Sequence, residues 1–230
     1  YVADSHAGKI IIFGPDNILK DKWGSSFFLR PVNLAVDTHN TRLYVVDPEQ
    51  HKILILSLED GRYLGEIGGR GVAPGQFNYP LDADVDSEGN LYVLDSMNAR
   101  VQKFSSDGSF LLSFGERGTE IGSFQRPKSL SVGPFGNLYV SDSLAHRFVV
   151  FDGEGRFLIT VGGQHGVSGG VVPGGFYLPQ GIDVGSDGQI WVVDALNRVL
   201  HEFQFLTKEY LEKNPILPGQ AVNPFEAGNK

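Results

Sequence analysis

Apolar and polar positions alternate in short runs along most of the chain, and the runs recur in a fixed order. Pro80-Leu81-Asp82-Ala83-Asp84-Val85-Asp86 alternates with the period of two that marks a half-buried strand. Ser87-Glu88-Gly89-Asn90 supplies turn residues. Leu91-Tyr92-Val93-Leu94-Asp95 is apolar enough to predict a strand covered on both faces. Ser96-Met97-Asn98-Ala99 turns the chain into a third strand, Arg100-Val101-Gln102-Lys103-Phe104, and Asp107-Gly108 marks a hairpin into a fourth over 110–115. Residues 122–126 then lead to Pro127, where the order restarts. Helical spacing is confined to 207–213, before Asn214-Pro215.

Four short antiparallel strands per repeat make a propeller blade. The repeat is directly visible in Tyr1-Val2-Ala3-Asp4, Tyr44-Val45-Val46-Asp47, Tyr92-Val93-Leu94-Asp95, Tyr139-Val140-Ser141-Asp142 and Trp191-Val192-Val193-Asp194. Its aspartates lie 43, 48, 47 and 52 residues apart, a period that belongs to propellers and solenoids. Pro31, Pro80, Pro127 and Pro179 each open a first strand, where proline has no ladder donor to lose. Phe28, Phe77, Phe124 and Phe176 each precede one of these prolines by three positions, and their rings are expected to wedge between adjacent blades. The expected fold class is all-β, a β-propeller of four-stranded antiparallel blades over residues 1–205. Residues 206–230 form a tail, read as a short helix or extended strap.

Asp95-Ser96-Met97-Asn98-Ala99-Arg100-Val101, with Gly89-Asn90-Leu91-Tyr92-Val93-Leu94-Asp95 before it and Gly108-Ser109-Phe110 after it, resembles the NHL-repeat signature. The resemblance covers nearly all of residues 1–205 and implies a bacterial protein acting in the periplasm or outside the cell. It leaves function open, because NHL propellers include recognition modules, RNA binders, an amidating lyase and many secreted proteins. Residues 1–30 supply three strands of a blade, 31–178 three whole blades and 179–205 three strands of another. That is about four and a half blades where the NHL type has six, which implies one or more blades before Tyr1. In the last repeat Asn197-Arg198 reads one residue short, and no Asp-Gly hairpin follows Phe203.

Composition narrows the chemistry. A net charge of −8 without any Lys or Arg run argues against a nucleic-acid surface. The absence of cysteine excludes disulfides, covalent haem attachment and thiolate metal sites. No apolar run approaches the roughly 20 residues of a membrane-spanning helix. Neither a phosphate-binding glycine loop nor a Gly-x-Ser-x-Gly elbow is present.

A residue found in every blade is most simply structural. The repeated aspartates fit this as acceptors for backbone N–H groups of the turn that follows. Lys9, Lys52, Arg100, Arg147 and Arg198 fit it as partners of such turns or of neighbouring blades. Function belongs where the repeat breaks. On the strands nearest the axis, Asn33, Asp82, Asp84, Ser129 and Asp183 could gather oxygens around a hard cation such as Ca²⁺, or could simply pack as small polar groups. Lys128, at the channel mouth, could neutralise those acids. His6, His51, His146 and His165 could in principle hold Zn²⁺, although their turn positions spread them around the rim. An insertion before Phe176 lengthens its repeat to 52 residues and offers Gln164, His165, Ser168, Val171 and Phe176 as loop recognition residues. The reading is a non-enzymatic scaffold without a cofactor that recognises a protein partner or larger assembly through rim loops. Its alternative is an extracytoplasmic metal-dependent lyase or lactonase using the channel.

Overall fold

The structure is a computed structural model that describes residues 1–24, 27–164 and 174–214. The first blade holds β1 (Val2–Asp4), β2 (Lys9–Phe13) and β3 (Leu19–Gly24). The second holds β4 (Asn33–Asp37), β5 (Arg42–Asp47), β6 (Lys52–Ser57) and β7 (Tyr63–Gly68). The third holds β8 (Pro80–Val85), β9 (Leu91–Asp95), β10 (Arg100–Phe104) and β11 (Phe110–Phe114). The fourth holds β12 (Pro127–Val132), β13 (Leu138–Asp142), β14 (Arg147–Phe151) and β15 (Phe157–Gln164), with the short β16 (Gly175–Phe176) beside β15. The fifth holds β17 (Pro179–Val184), β18 (Gln189–Asp194) and β19 (Val199–Gln204). Strands pair antiparallel in sequence order within each blade, and among the described residues only β16 runs parallel to its neighbour.

The proline-led strands are innermost: β4 packs on β8, β8 on β12 and β12 on β17. The second strands lie between two neighbouring blades, which is why β9 and β13 are buried along their whole length. The apolar core is accordingly divided among the joints between blades. Phe28 packs with Ile10 and Leu43 at the first joint, and Phe77 with Val46 and Phe104 at the second. Phe124 packs with Leu94 and Phe151 at the third, and Phe176 with Phe148 and Ile182 at the fourth. The expected wedges are all in place, each ring worth about 1.5–3 kcal/mol over its exposed state. Glycine makes their seats. A Cβ on Gly68 or Gly115 would stand 2.4 Å from the ring of Phe77 or Phe124, and both residues have positive φ (108° and 81°).

The repeated aspartate fastens the wedge in position. Asp47 Oδ2 accepts the N–H groups of Leu29 (2.7 Å) and Arg30 (3.0 Å), immediately after Phe28. Asp95 accepts from Asn78 (2.7 Å), Asp142 from Gln125 (2.8 Å) and Arg126 (2.7 Å), and Asp194 from Tyr177 (3.0 Å). The main donors therefore lie in the loop that carries the phenylalanine into the blade, not in the following turn. Only Asp4 bonds chiefly to that turn, accepting from His6 and Ala7. These four clasped carboxylates are buried, so each unpaired N–H would otherwise cost about 1–3 kcal/mol. Arg100 adds an ion pair to Asp95 (2.8 Å), and Arg147 donates to the Ser123 carbonyl.

The fifth blade is not a residue short. Arg198 takes the left-handed turn position that His146 holds in the fourth blade (φ 57° and 55°). The pairing Asp194↔Val199 repeats Asp142↔Arg147, with Val199 standing where the basic residue usually begins the third strand. After β19 the chain forms α1 (Lys208–Lys213), whose N-cap Thr207 Oγ1 accepts the N–H of Tyr210 at 2.9 Å. Among the described residues no helix is long and apolar enough to cross a membrane.

Candidate functional site

The axial residues singled out by the sequence join neighbouring blades to one another. Asn33 Oδ1 lies 3.4 Å from the N–H of Ala83 in the next blade. Asp82 Oδ2 accepts the Ser129 hydroxyl (2.6 Å) and the Leu130 N–H (2.9 Å) of the fourth blade, while Oδ1 accepts its own neighbour Ala83. Asp84 Oδ2 accepts the Val132 N–H (2.8 Å), and Ser131 Oγ accepts that of Val184 (3.2 Å). The Ser131 hydroxyl also lies 3.4 Å from Asp84 and 3.5 Å from the exposed Asp183; its single proton serves one of them at a time. Burial pushes the Asp82 carboxyl up to about 7, against the hydrogen bonds that favour its charged form. Burial also raises Asp84, with the nearby charge of Asp183 adding to it. Asn33, Asp82, Asp84 and Ser129 thus have their oxygens engaged across blade joints. Among the described residues no three His, Cys, Asp or Glu side chains stand together as a metal-binding group.

Two histidines prove to be struts. His51 Nδ1 accepts the Tyr79 N–H (3.0 Å) and His146 Nδ1 the Leu178 N–H (3.2 Å), each from the loop entering the next blade. Tyr79 and Leu178 precede the prolines and hold positive φ (58° and 60°), which turns their N–H groups away from their own blade's aspartate. At the third joint the histidine is replaced by Ala99, and the Arg126 N–H returns to Asp142. His201, not singled out from sequence, is buried against Asp194 (3.3 Å) at the position where Gln102 contacts Asp95. Of the proposed loop residues, Gln164 ends β15, with its backbone paired to Phe176. Phe176 itself is fully buried as a wedge, so its ring is withdrawn from any partner. His165, Ser168 and Val171 lie outside the described residues.

A cleft of about 500 Å³ opens at the joint of the third and fourth blades. Tyr79, Leu81, Met97 and Leu144 supply its apolar wall, while Arg117, Arg126 and Lys128 bring three cations; among the described residues no Asp or Glu lines it. Arg117 is pinned by the carbonyls of Met97 (2.8 Å) and Gln125 (3.3 Å). Lys128 is half-buried, and burial followed by the Arg126 charge lowers its pKa. Its charged neighbour is therefore another cation, not the axial acids. The repeat itself shows what is unusual. In the second blade Arg30 pairs with Glu49 at 3.4 Å; the same two positions in the fourth blade are Arg126 and Leu144. Lys128 stands where the other blades have Val32, Leu81 and Gln180.

The model of the family DUF5128, a 6-bladed beta-propeller, matches residues 30–114, which contain the second and third blades. A streptogramin B lyase structure superposes with a TM-score of 0.63 at 16% identity, covering 89% of this chain and 64% of that one. Virginiamycin B lyase from Staphylococcus aureus gives 0.61 at 14% identity, with 89% and 65% covered. The chain is a β-propeller. A protein of unknown function from Bacteroides caccae is similar as well (TM-score 0.60, 15% identity, 88% and 67% covered). The propeller described here spans less than two thirds of the length of either lyase. No curated protein matches it in sequence.

Proposed function

We propose that this propeller is a non-enzymatic recognition scaffold of the NHL type, which holds a protein partner against the loops of one rim in a periplasmic or secreted setting. One contrast carries the reading. The axial carboxylates of Asp82 and Asp84 are bonded from blade to blade, while the side chains of Arg126 and Lys128 have no hydrogen-bond or ion-pair partner among the described residues. Rigid blades present such groups with little entropy lost on binding. The net charge of −8 favours a protein partner over a nucleic acid.

The competing reading, a lyase or lactonase with a channel metal, makes opposite demands on the same residues. Asp84→Asn and Asp183→Asn should leave recovery of a discrete, stoichiometric partner from the native envelope unchanged, while shortening the 167–174 insertion should weaken it. Stoichiometric metal lost with the two Asp substitutions, together with turnover lost in the same variants, would instead establish the enzyme.

A further inference from the structure

We infer that the cleft between the third and fourth blades is a receptor for an acidic peptide segment carrying an apolar side chain next to its carboxylates. The inference rests on the recognition reading above and gives it a location and a chemistry. Three observations lead to it. Among the described residues the lining concentrates three positive charges and no negative one, on a chain whose net charge is −8. Arg126 lacks the acidic partner that Arg30 has in the second blade, because Leu144 stands where Glu49 does there. Met97 and Leu144, about half exposed (57% and 47%), give the cleft an apolar lip that a purely ionic ligand would leave uncovered.

The geometry suits such an occupant. At about 500 Å³ the cleft lies within the roughly 300–1,000 Å³ of ligand pockets and can take one or two side chains of an extended segment. Arg117 is held by two backbone carbonyls, so a guanidinium is oriented before anything binds. Arg126 and Lys128 are available to form charge-assisted hydrogen bonds with carboxylates. Lys128, half-buried in the cleft, would lose less water on pairing than a fully exposed lysine.

The test is fluorescence anisotropy of the full chain with a fluorescein-labelled peptide of alternating leucine and glutamate, against its leucine–glutamine counterpart. The acidic peptide should bind and the neutral one should not. Lys128→Met and Arg126→Gln should each weaken binding about tenfold, the loss of one charge-assisted bond. Arg62→Gln, which removes one exposed charge elsewhere, should change it by less than about twofold. Unchanged thermal midpoints will show that the variants remain folded. Equal weakening by Arg62→Gln would reduce the effect to overall charge and overturn the site. Displacement of the peptide by millimolar inorganic phosphate would overturn the peptide assignment in favour of a small anion. Binding insensitive to Lys128 and Arg126 would overturn this cleft yet leave rim recognition standing. Failure of the acidic peptide to bind at all would overturn the inference, while partner recovery in the preceding experiment decides the scaffold separately.

Discussion

Replacing Asp82 by asparagine should alter how stability depends on pH more than it alters stability at any single pH. The wild-type carboxyl titrates near 7 in the folded protein, against 3.8 in an unperturbed chain, because burial opposes its charge. Between those values the folded state holds a proton that the unfolded state has released. Stability from this group is therefore full below about pH 4 and is lost as pH rises through about 7. At about 1.4 kcal/mol per pH unit, a gap of about three pH units corresponds to about 4 kcal/mol across that window. In the Asp82→Asn variant the amide keeps an oxygen for the Leu130 N–H and the Ser129 hydroxyl and carries no charge at any pH. Urea unfolding of both proteins at steps across the window gives the wild-type-minus-variant difference. That difference should fall by about 4 kcal/mol from the acid to the alkaline end. A difference that stays flat, or rises with pH, would refute a buried carboxyl bridging the third and fourth blades.

Asp95→Ala should destabilise by about 3–5 kcal/mol, because Arg100 and the Asn78 N–H lose a buried anionic partner. Asp4→Ala, at the half-exposed equivalent, should change the stability read from urea unfolding by no more than about 0.5 kcal/mol. Gly115→Ala should cost about 2–4 kcal/mol in the same unfolding curves, through a Cβ driven into the Phe124 ring and a φ of 81°. His51→Ala should cost about 1–3 kcal/mol by leaving the Tyr79 N–H without its acceptor, and His51→Gln, whose amide oxygen can accept, should recover part of it.

Much of the fold was legible because each joint repeats the same three residues. Phe, Pro and Asp recur in register, so four copies of one pattern reported the same wedge, strand start and acceptor. Sequence spacing points the aspartates to the turn that follows, which holds for Asp4; the shorter backbone N–H bonds of the other four come from the preceding loop, because spacing does not reveal that the chain doubles back beside its own second strand. The axial acids were recognisable as neighbours. Their bonding to the next blade depends on the stagger between adjacent inner strands, which no single repeat encodes. The cleft was harder still, since its residues come from five separate segments and each is ordinary alone. Its signal was present in the internal comparison, where Leu144 replaces Glu49 and Lys128 replaces Val32, but only a known contact between those positions gives the replacement meaning.

The span of the aspartate clasp has a consequence for how such a chain can change length. From the residue after each phenylalanine to its aspartate (Leu29 to Asp47, Asn78 to Asp95, Gln125 to Asp142 and Tyr177 to Asp194) the clasp spans 18, 17, 17 and 17 positions. The distance from one aspartate to the next varies from 43 to 52. Insertions and deletions are thus absorbed outside the clasp, between a second strand and the next phenylalanine, while the stretch inside it is held almost to the residue. Each clasp is completed by its own blade as that blade is synthesised, so a duplicated blade brings its fastening with it.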